Sequence, residues 1–161
     1  MKQLFLLLSL SILTLSISSC SDDDSNSTDD NTTSFVKFKV DGVQKTFNHV
    51  IINTGTPEDG TVLLTIIASE SENSEESISF EIYQGETGGE EVDVKWLYEL
   101  GNKVYDEGGY NDEELIQIDH IVQKNNIEKL SGTFSGELSR YDIQQGLYLL
   151  EITEGTFNIK R

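Results

Sequence analysis

The side chains that could act as nucleophile, base or metal ligand are few and widely spaced. The only imidazoles are His49 and His120, and the only thiol is Cys20. Nucleophilic catalysis needs a Ser, Thr or Cys beside a base, and no Gly-x-Ser-x-Gly elbow occurs. Both histidines fall on the apolar side of alternating segments, His49 with Phe47 and Ile51, His120 with Ile118 and Val122. They could therefore meet inside the domain. A zinc site would still want a third ligand, and neither a His-Glu-x-x-His motif nor a cysteine pair supplies one. The reading is hydrogen-bonded, edge-of-core histidines with no metal.

Carboxylates are abundant, 29 of 161 residues, so a pair at glycosidase spacing would arise by accident and carries no weight. Calcium has one candidate segment, Asp106-Glu107-Gly108-Gly109-Tyr110-Asn111-Asp112-Glu113-Glu114. It departs from the EF-hand pattern, because Gly108 and Tyr110 stand where that loop needs oxygen-bearing side chains. The bland alternative is a solvated acidic loop. Gly85 to Gly89 has glycines but no lysine and no following helix, so it is not a phosphate cradle. Among possible ring platforms for sugar, Trp96 lies on the apolar face of its strand and reads as core, with Tyr98 on the same face. Tyr105, Tyr110 and Tyr141 lie in or beside loops, where a ring is freer to meet ligand. No catalytic residues, cofactor-binding residues or metal ligands are assigned, and the expectation is that the protein is not an enzyme.

The strongest chemistry lies at the start of the chain. Lys2 precedes an apolar run, Leu4 to Ile17, which is too short for the roughly 20 residues that span a bilayer and gives way at once to polar, acidic sequence. It reads as a signal peptide, residues 1–19. The run closes Leu15-Ser16-Ile17-Ser18-Ser19-Cys20, which resembles the lipobox of bacterial lipoproteins: an aliphatic residue, small residues, then the cysteine that receives lipid. That resemblance implies cleavage before Cys20 and attachment of palmitate-type acyl chains to it. One acyl chain binds a membrane marginally, about 10⁴ M⁻¹, whereas two or three make the anchor effectively permanent. Ser21-Asp22-Asp23-Asp24 follows and resembles the acidic export signal of Bacteroidetes-type lipoproteins, which implies display on the outer face of the outer membrane. Residues 20–34 are otherwise a solvated acidic tether, too polar to bury surface.

Formal net charge is −18, and with Lys2 and the tether's five aspartates set aside the rest stays near −14. That balance excludes nucleic acid, whose phosphates are bound by clustered Lys and Arg. With its single cysteine lipidated the domain has no disulfide, so burial of apolar surface must hold it together.

Residues 35–161 suffice for one core. Their pattern is period two, the mark of strands with one buried face. Val36, Phe38 and Val40 alternate with Lys37 and Lys39, and Asp41-Gly42 gives a hairpin turn. Phe47, His49 and Ile51 follow, then a continuous apolar run, Thr61 to Ala68, then Ile78, Phe80 and Ile82. Val92, Val94, Trp96, Tyr98 and Leu100 form the clearest alternation, and Ile116, Ile118, His120 and Val122 another. Leu130-Ser131-Gly132-Thr133-Phe134-Ser135 and Ile152-Thr153-Glu154-Gly155-Thr156-Phe157-Asn158 echo each other. Each sets a Gly inside a strand, where the usual cause is a bulge or a close backbone approach. About nine strands result, at the spacing of an antiparallel β-sandwich, with a closed barrel as the alternative. Trp96, Phe80 and Phe134 favour a filled interior in either case.

The opening strand into Asp41-Gly42, the Leu130 to Leu138 segment and the closing Ile152 to Lys160 segment resemble a group of small, functionally unassigned Bacteroidetes-type lipoproteins with one β-sandwich domain after the lipobox. The resemblance brings no assigned catalytic residues with it, and fold and address together lead to the expectation of a lipid-anchored, non-catalytic binding or structural module. Its possible partners are an extracellular glycan or protein, if it is an accessory subunit, or calcium, if it is an adhesion domain.

Overall fold

Val36, Phe38 and Val40 are all buried on the inner face of β1 (Phe35–Val40), and Asp41 and Gly42 both take positive φ, 47° and 78°, as a two-residue hairpin turn requires. β2 (Val43–Phe47) returns beside β1. These strands come from a computed structural model that describes residues 33–58, 60–108, 110–111 and 114–161. The leader, Cys20 and Ser21 to Asp24 lie outside the described residues.

The remaining strands are β3 (His49–Gly55), β4 (Leu63–Ser69), β5 (Glu76–Tyr83), β6 (Lys95–Leu100), β7 (Lys103–Asp106), β8 (Tyr110–Asn111), β9 (Glu114–Leu115), β10 (Ile118–Asn125), β11 (Lys129–Asp142) and β12 (Gly146–Lys160). Ten of them form one antiparallel sheet in the order β2-β1-β12-β11-β7-β6-β5-β4-β3, with β10 also on β11; β8 and β9 pair only with each other. The outermost strands, β2 and β3, are consecutive in the chain and separated by Asn48 alone. The sheet therefore curls back on itself into a nearly closed, barrel-like wall. The architecture is all-β, and of the two arrangements the alternation left open, the observed one lies nearer the barrel. Among the described residues no helix is long and apolar enough to cross a membrane.

Aromatic rings fill the interior. Phe80 on β5 meets Phe157 on β12 at 5.1 Å between centroids, and Phe38 on β1 meets Tyr98 on β6 at 6.2 Å, so opposite parts of the wall touch directly. Trp96 is sandwiched between Phe80 at 4.5 Å and Phe134 at 4.4 Å. A polar link ties β2 to β5 and β6: Glu76 accepts from both Lys45 Nζ and the Tyr98 hydroxyl. Burial and the Glu76 carboxylate hold the Tyr98 phenol well above its ordinary pKa.

The two echoing segments are neighbours, and their glycines have a shared cause. Gly132 on β11 stands opposite Phe157 on β12, and Gly155 on β12 stands opposite Phe134 on β11. Each phenylalanine lies over the opposing glycine. A Cβ at Gly155 would sit 2.4 Å from the Phe134 carbonyl oxygen and 2.7 Å from its ring; one at Gly132 would sit 2.3 Å from the Ile121 carbonyl oxygen. The ladder also bulges here, between Phe134 and Gly136, with Glu154 at φ 52°. Gly155→Ala is therefore expected to cost about 2–3 kcal/mol through overpacking against backbone, read as a lower urea midpoint at unchanged slope.

Four details depart from the alternation. Phe47, His49 and Ile51 do not share a face, because the chain changes strand at Asn48: Phe47 is buried, whereas Ile51 is 43% exposed and Val50 and Ile52 pack on the core. That segment becomes two strands, β2 and β3. The echoing segment Ile152 to Asn158 is not a strand by itself but part of one long strand, β12, that begins at Gly146. A turn at Gly101-Asn102 adds β7, and β8 and β9 add a two-residue ladder, which brings the total among the described residues to twelve. Tyr105 is buried rather than free in a loop, because Arg140 lies 5.7 Å from its ring centroid and covers it.

Candidate functional site

The wall between β6 and β11 is closed in two different ways. Toward one end β7 fills it, pairing with β6 from Leu97 to Leu100 and with β11 at Ser139. Beyond Asp106, β10 takes over beside β11, but no ladder joins β10 to the segment leading into β6. The two rims meet instead at isolated points. Gly88 and Val122 exchange both backbone hydrogen bonds at 3.0 and 2.7 Å, and Asn125 Nδ2 donates to the carbonyls of Tyr83 and Glu86. At the other end the Glu107 carboxylate takes one N–H from each rim, Trp96 N and Ile118 N, both at 2.9 Å.

Between these pins one rim runs from Gly88 to Trp96 while the other runs only from Val122 to Ile118, half the length. The excess is absorbed by a turn, Val92 N to Gly89 O at 2.9 Å, and the rims part into a slit of about 1030 Å³. Val92, Val94, Trp96, Ile116 and Ile118 line it, each at most 7% exposed. Among the described residues its carboxylates are Glu90, Glu91, Asp93, Asp106, Glu107 and Asp119, against one amine, Lys95.

Glu107 replaces a missing strand. Its two acceptor oxygens satisfy amides that a neighbouring backbone would otherwise meet. Burial raises its carboxyl above the ordinary value, overcoming the opposite pull of the two N–H bonds and of His120. Glu107→Ala would leave both amides without an acceptor and cost about 2 kcal/mol. The linkage has a definite sign. A carboxyl raised in the folded state contributes stability that is fully present below its unfolded value, near 4.5, and lost as pH rises through its folded value. The wild type's margin over Glu107→Gln should thus be largest in acid and shrink toward neutrality, read from melting temperatures across pH.

His120 lies in the same slit, and its Nε2 donates to the Val92 carbonyl at 3.0 Å. It links the rims midway. His49 is elsewhere, on the outer side of β3 with Nδ1 3.4 Å from Ser69 Oγ. The two histidines do not meet, since β3 and β10 are not neighbours in the sheet. Among the described residues no group of three or more His, Cys, Asp or Glu side chains converges on a point that could hold a metal.

The acidic segment read for calcium is divided. Gly109, Asp112 and Glu113 lie outside the described residues, as do the side chains of Tyr110, Asn111 and Glu114. Its Glu107 turns inward onto backbone amides, and Gly108 O accepts from Ser139 Oγ at 3.1 Å. Of the rings, Trp96 and Tyr98 are core, Tyr148 packs under Arg140 at 4.6 Å, and Tyr141 is 73% exposed beside Ile143, 94% exposed, at the β11–β12 turn. Sequence reasoning missed Glu107 and the slit. A carboxylate within an acidic run carries no periodic mark, and only the matched alternation of Val92, Val94 and Trp96 with Ile116 and Ile118 hinted that these segments face one interior.

The chain matches no protein-family model, no curated protein and no solved structure.

Proposed function

We propose that this chain is a lipoprotein, cut before Cys20, held by acyl chains on that residue and routed outward by Ser21, Asp22, Asp23 and Asp24, whose β-domain is a non-catalytic binding module. The address rests on the lipobox resemblance and on the short apolar leader. The binding role rests on one observation: a slit of about 1030 Å³ with an apolar lining opens where no ladder joins β10 to the segment leading into β6. Concave, mostly apolar sites with a few fixed polar groups are where small ligands bind. Acid–base work is a poor fit, because both oxygens of Glu107 and the Nε2 of His120 are already engaged with backbone. Mass spectrometry of the protein from its native membrane tests the address. The mature N-terminal peptide should begin at Cys20 and carry diacylglyceryl mass; an unmodified Cys20, or another start, removes the anchor.

A second reading, an accessory subunit that contacts an extracellular protein or glycan, is favoured by the β11–β12 hairpin. Ser34 bonds Lys160 at one end of β12, whereas Tyr141, Ile143 and Leu147 stand exposed at the other. Fifteen extended residues separate those ends by roughly 45 Å. The apolar tip thus lies at the far end of β12 from Ser34.

A further inference from the structure

We propose that the slit takes an organic cation, a small molecule with an ammonium group on an apolar body that also carries a hydrogen-bond acceptor. This rests on the reading of the slit as the binding site and adds the chemistry of its occupant. Three features of the slit specify that chemistry.

Charge is the first. Among the described residues, six carboxylates and one lysine line the slit, a steeper imbalance than the 29 acidic and 11 basic residues of the whole chain. Glu90, Glu91, Asp93 and Asp119 are exposed on its rims. These carboxylates are spread along both rims, and no three of the described acids or imidazoles gather closely enough to hold a metal ion. A diffuse ring of negative charge over a low-dielectric floor focuses attraction on an organic cation, whose charge needs no tight inner coordination.

Shape is the second. Val92, Val94, Ile116 and Ile118 present apolar surface beneath the carboxylates, so an ammonium at the rim can carry a hydrocarbon or aryl body into the slit. The volume lies at the upper end of the range for small-molecule sites.

The third is an unpartnered donor. Trp96 lines the slit and is 2% exposed, yet its buried indole Nε1–H has no hydrogen-bond partner among the described residues. Both ring faces are covered, one by Phe80 and one by Phe134. A buried N–H left unmade costs free energy, and a ligand oxygen that parts the side chains sealing it would recover it.

Trp96 is the only tryptophan in the chain, so its fluorescence reports on this slit alone. The test is a titration of the full-length, detergent-solubilised protein with four probes that differ by single groups: tyramine, phenethylamine, 4-ethylphenol and 3-(4-hydroxyphenyl)propionate. Calorimetry measures the affinities independently. Tyramine should bind and perturb Trp96, with affinity falling as salt is raised. Phenethylamine, lacking the oxygen, should bind several-fold more weakly, and the propionate on the order of tenfold or more weakly. The exposed pair Asp93→Asn and Asp119→Asn, combined in one variant with unchanged melting temperature, should weaken tyramine on the order of tenfold while leaving 4-ethylphenol as it was. Equal binding of all four probes, or binding of 4-ethylphenol without tyramine, overturns the cation and leaves the slit a binding site. Binding of none overturns both readings.

Discussion

Trp96→Ala will lower the unfolding free energy by about 3–5 kcal/mol. The indole is 2% exposed and stacks on Phe134 of β11, a strand that no backbone ladder joins to β6. Through Phe80 it touches β5, and through Phe134 it reaches β11 beneath the slit. Removing it deletes two stacked ring contacts and leaves a cavity lined by rings that are themselves pinned, Phe134 over Gly155 and Phe157 over Gly132. The surroundings cannot collapse to fill it, because the glycines opposite those rings leave no slack in the backbone. Trp96→Phe keeps an aromatic ring between Phe80 and Phe134 and should recover a large part of the loss. Urea unfolding followed by far-ultraviolet circular dichroism measures both variants without needing the indole. A loss below about 1 kcal/mol for Trp96→Ala would mean that the stack does not hold the rims of the slit together.

Cys20→Ala will remove the protein from the outer-membrane fraction. The proposed anchor is entirely covalent lipid on one thiol. The apolar leader, Leu4 to Ile17, falls short of the roughly 20 residues that span a bilayer, and a chain of net charge −18 is repelled by anionic head groups. Two or more acyl chains make attachment effectively permanent, whereas none leaves nothing to hold the chain in place. Native protein should stay with the membrane through high-salt and carbonate washes. The alanine form should be missing from that fraction at equal expression, and its persistence there would relocate the anchor to another part of the molecule.

The wall was legible where a cause is local. Val36, Phe38 and Val40 announce an inner face, Asp41-Gly42 the turn after it, and Gly132 and Gly155 a close approach, which proved to be the two phenylalanine rings lying over them. The pattern misled where a single residue shifts the register. Asn48 ends one strand and begins the next on the opposite edge of the sheet, so His49 and Ile51 leave the face that Phe47 occupies. The slit was illegible because it is a mismatch between two distant segments. Nothing in Gly88 to Trp96 states that its partner rim will be shorter, and nothing in Asp106 to Glu114 marks Glu107 as the carboxylate that turns inward. Tyr105 was misplaced for a similar reason, since its cover, Arg140, comes from a strand far along the chain.

The most direct test of the proposed lipid-anchored, outward-facing module is protease shaving of intact cells. It compares the native chain with a variant in which Asp22, Asp23 and Asp24 are all alanine, both followed by an antibody to the β-domain. The account predicts that the native protein is membrane-bound and lost to external protease, while the variant is equally membrane-bound and protected. Protection of the native protein in intact cells, with digestion only after the outer membrane is opened, would contradict it.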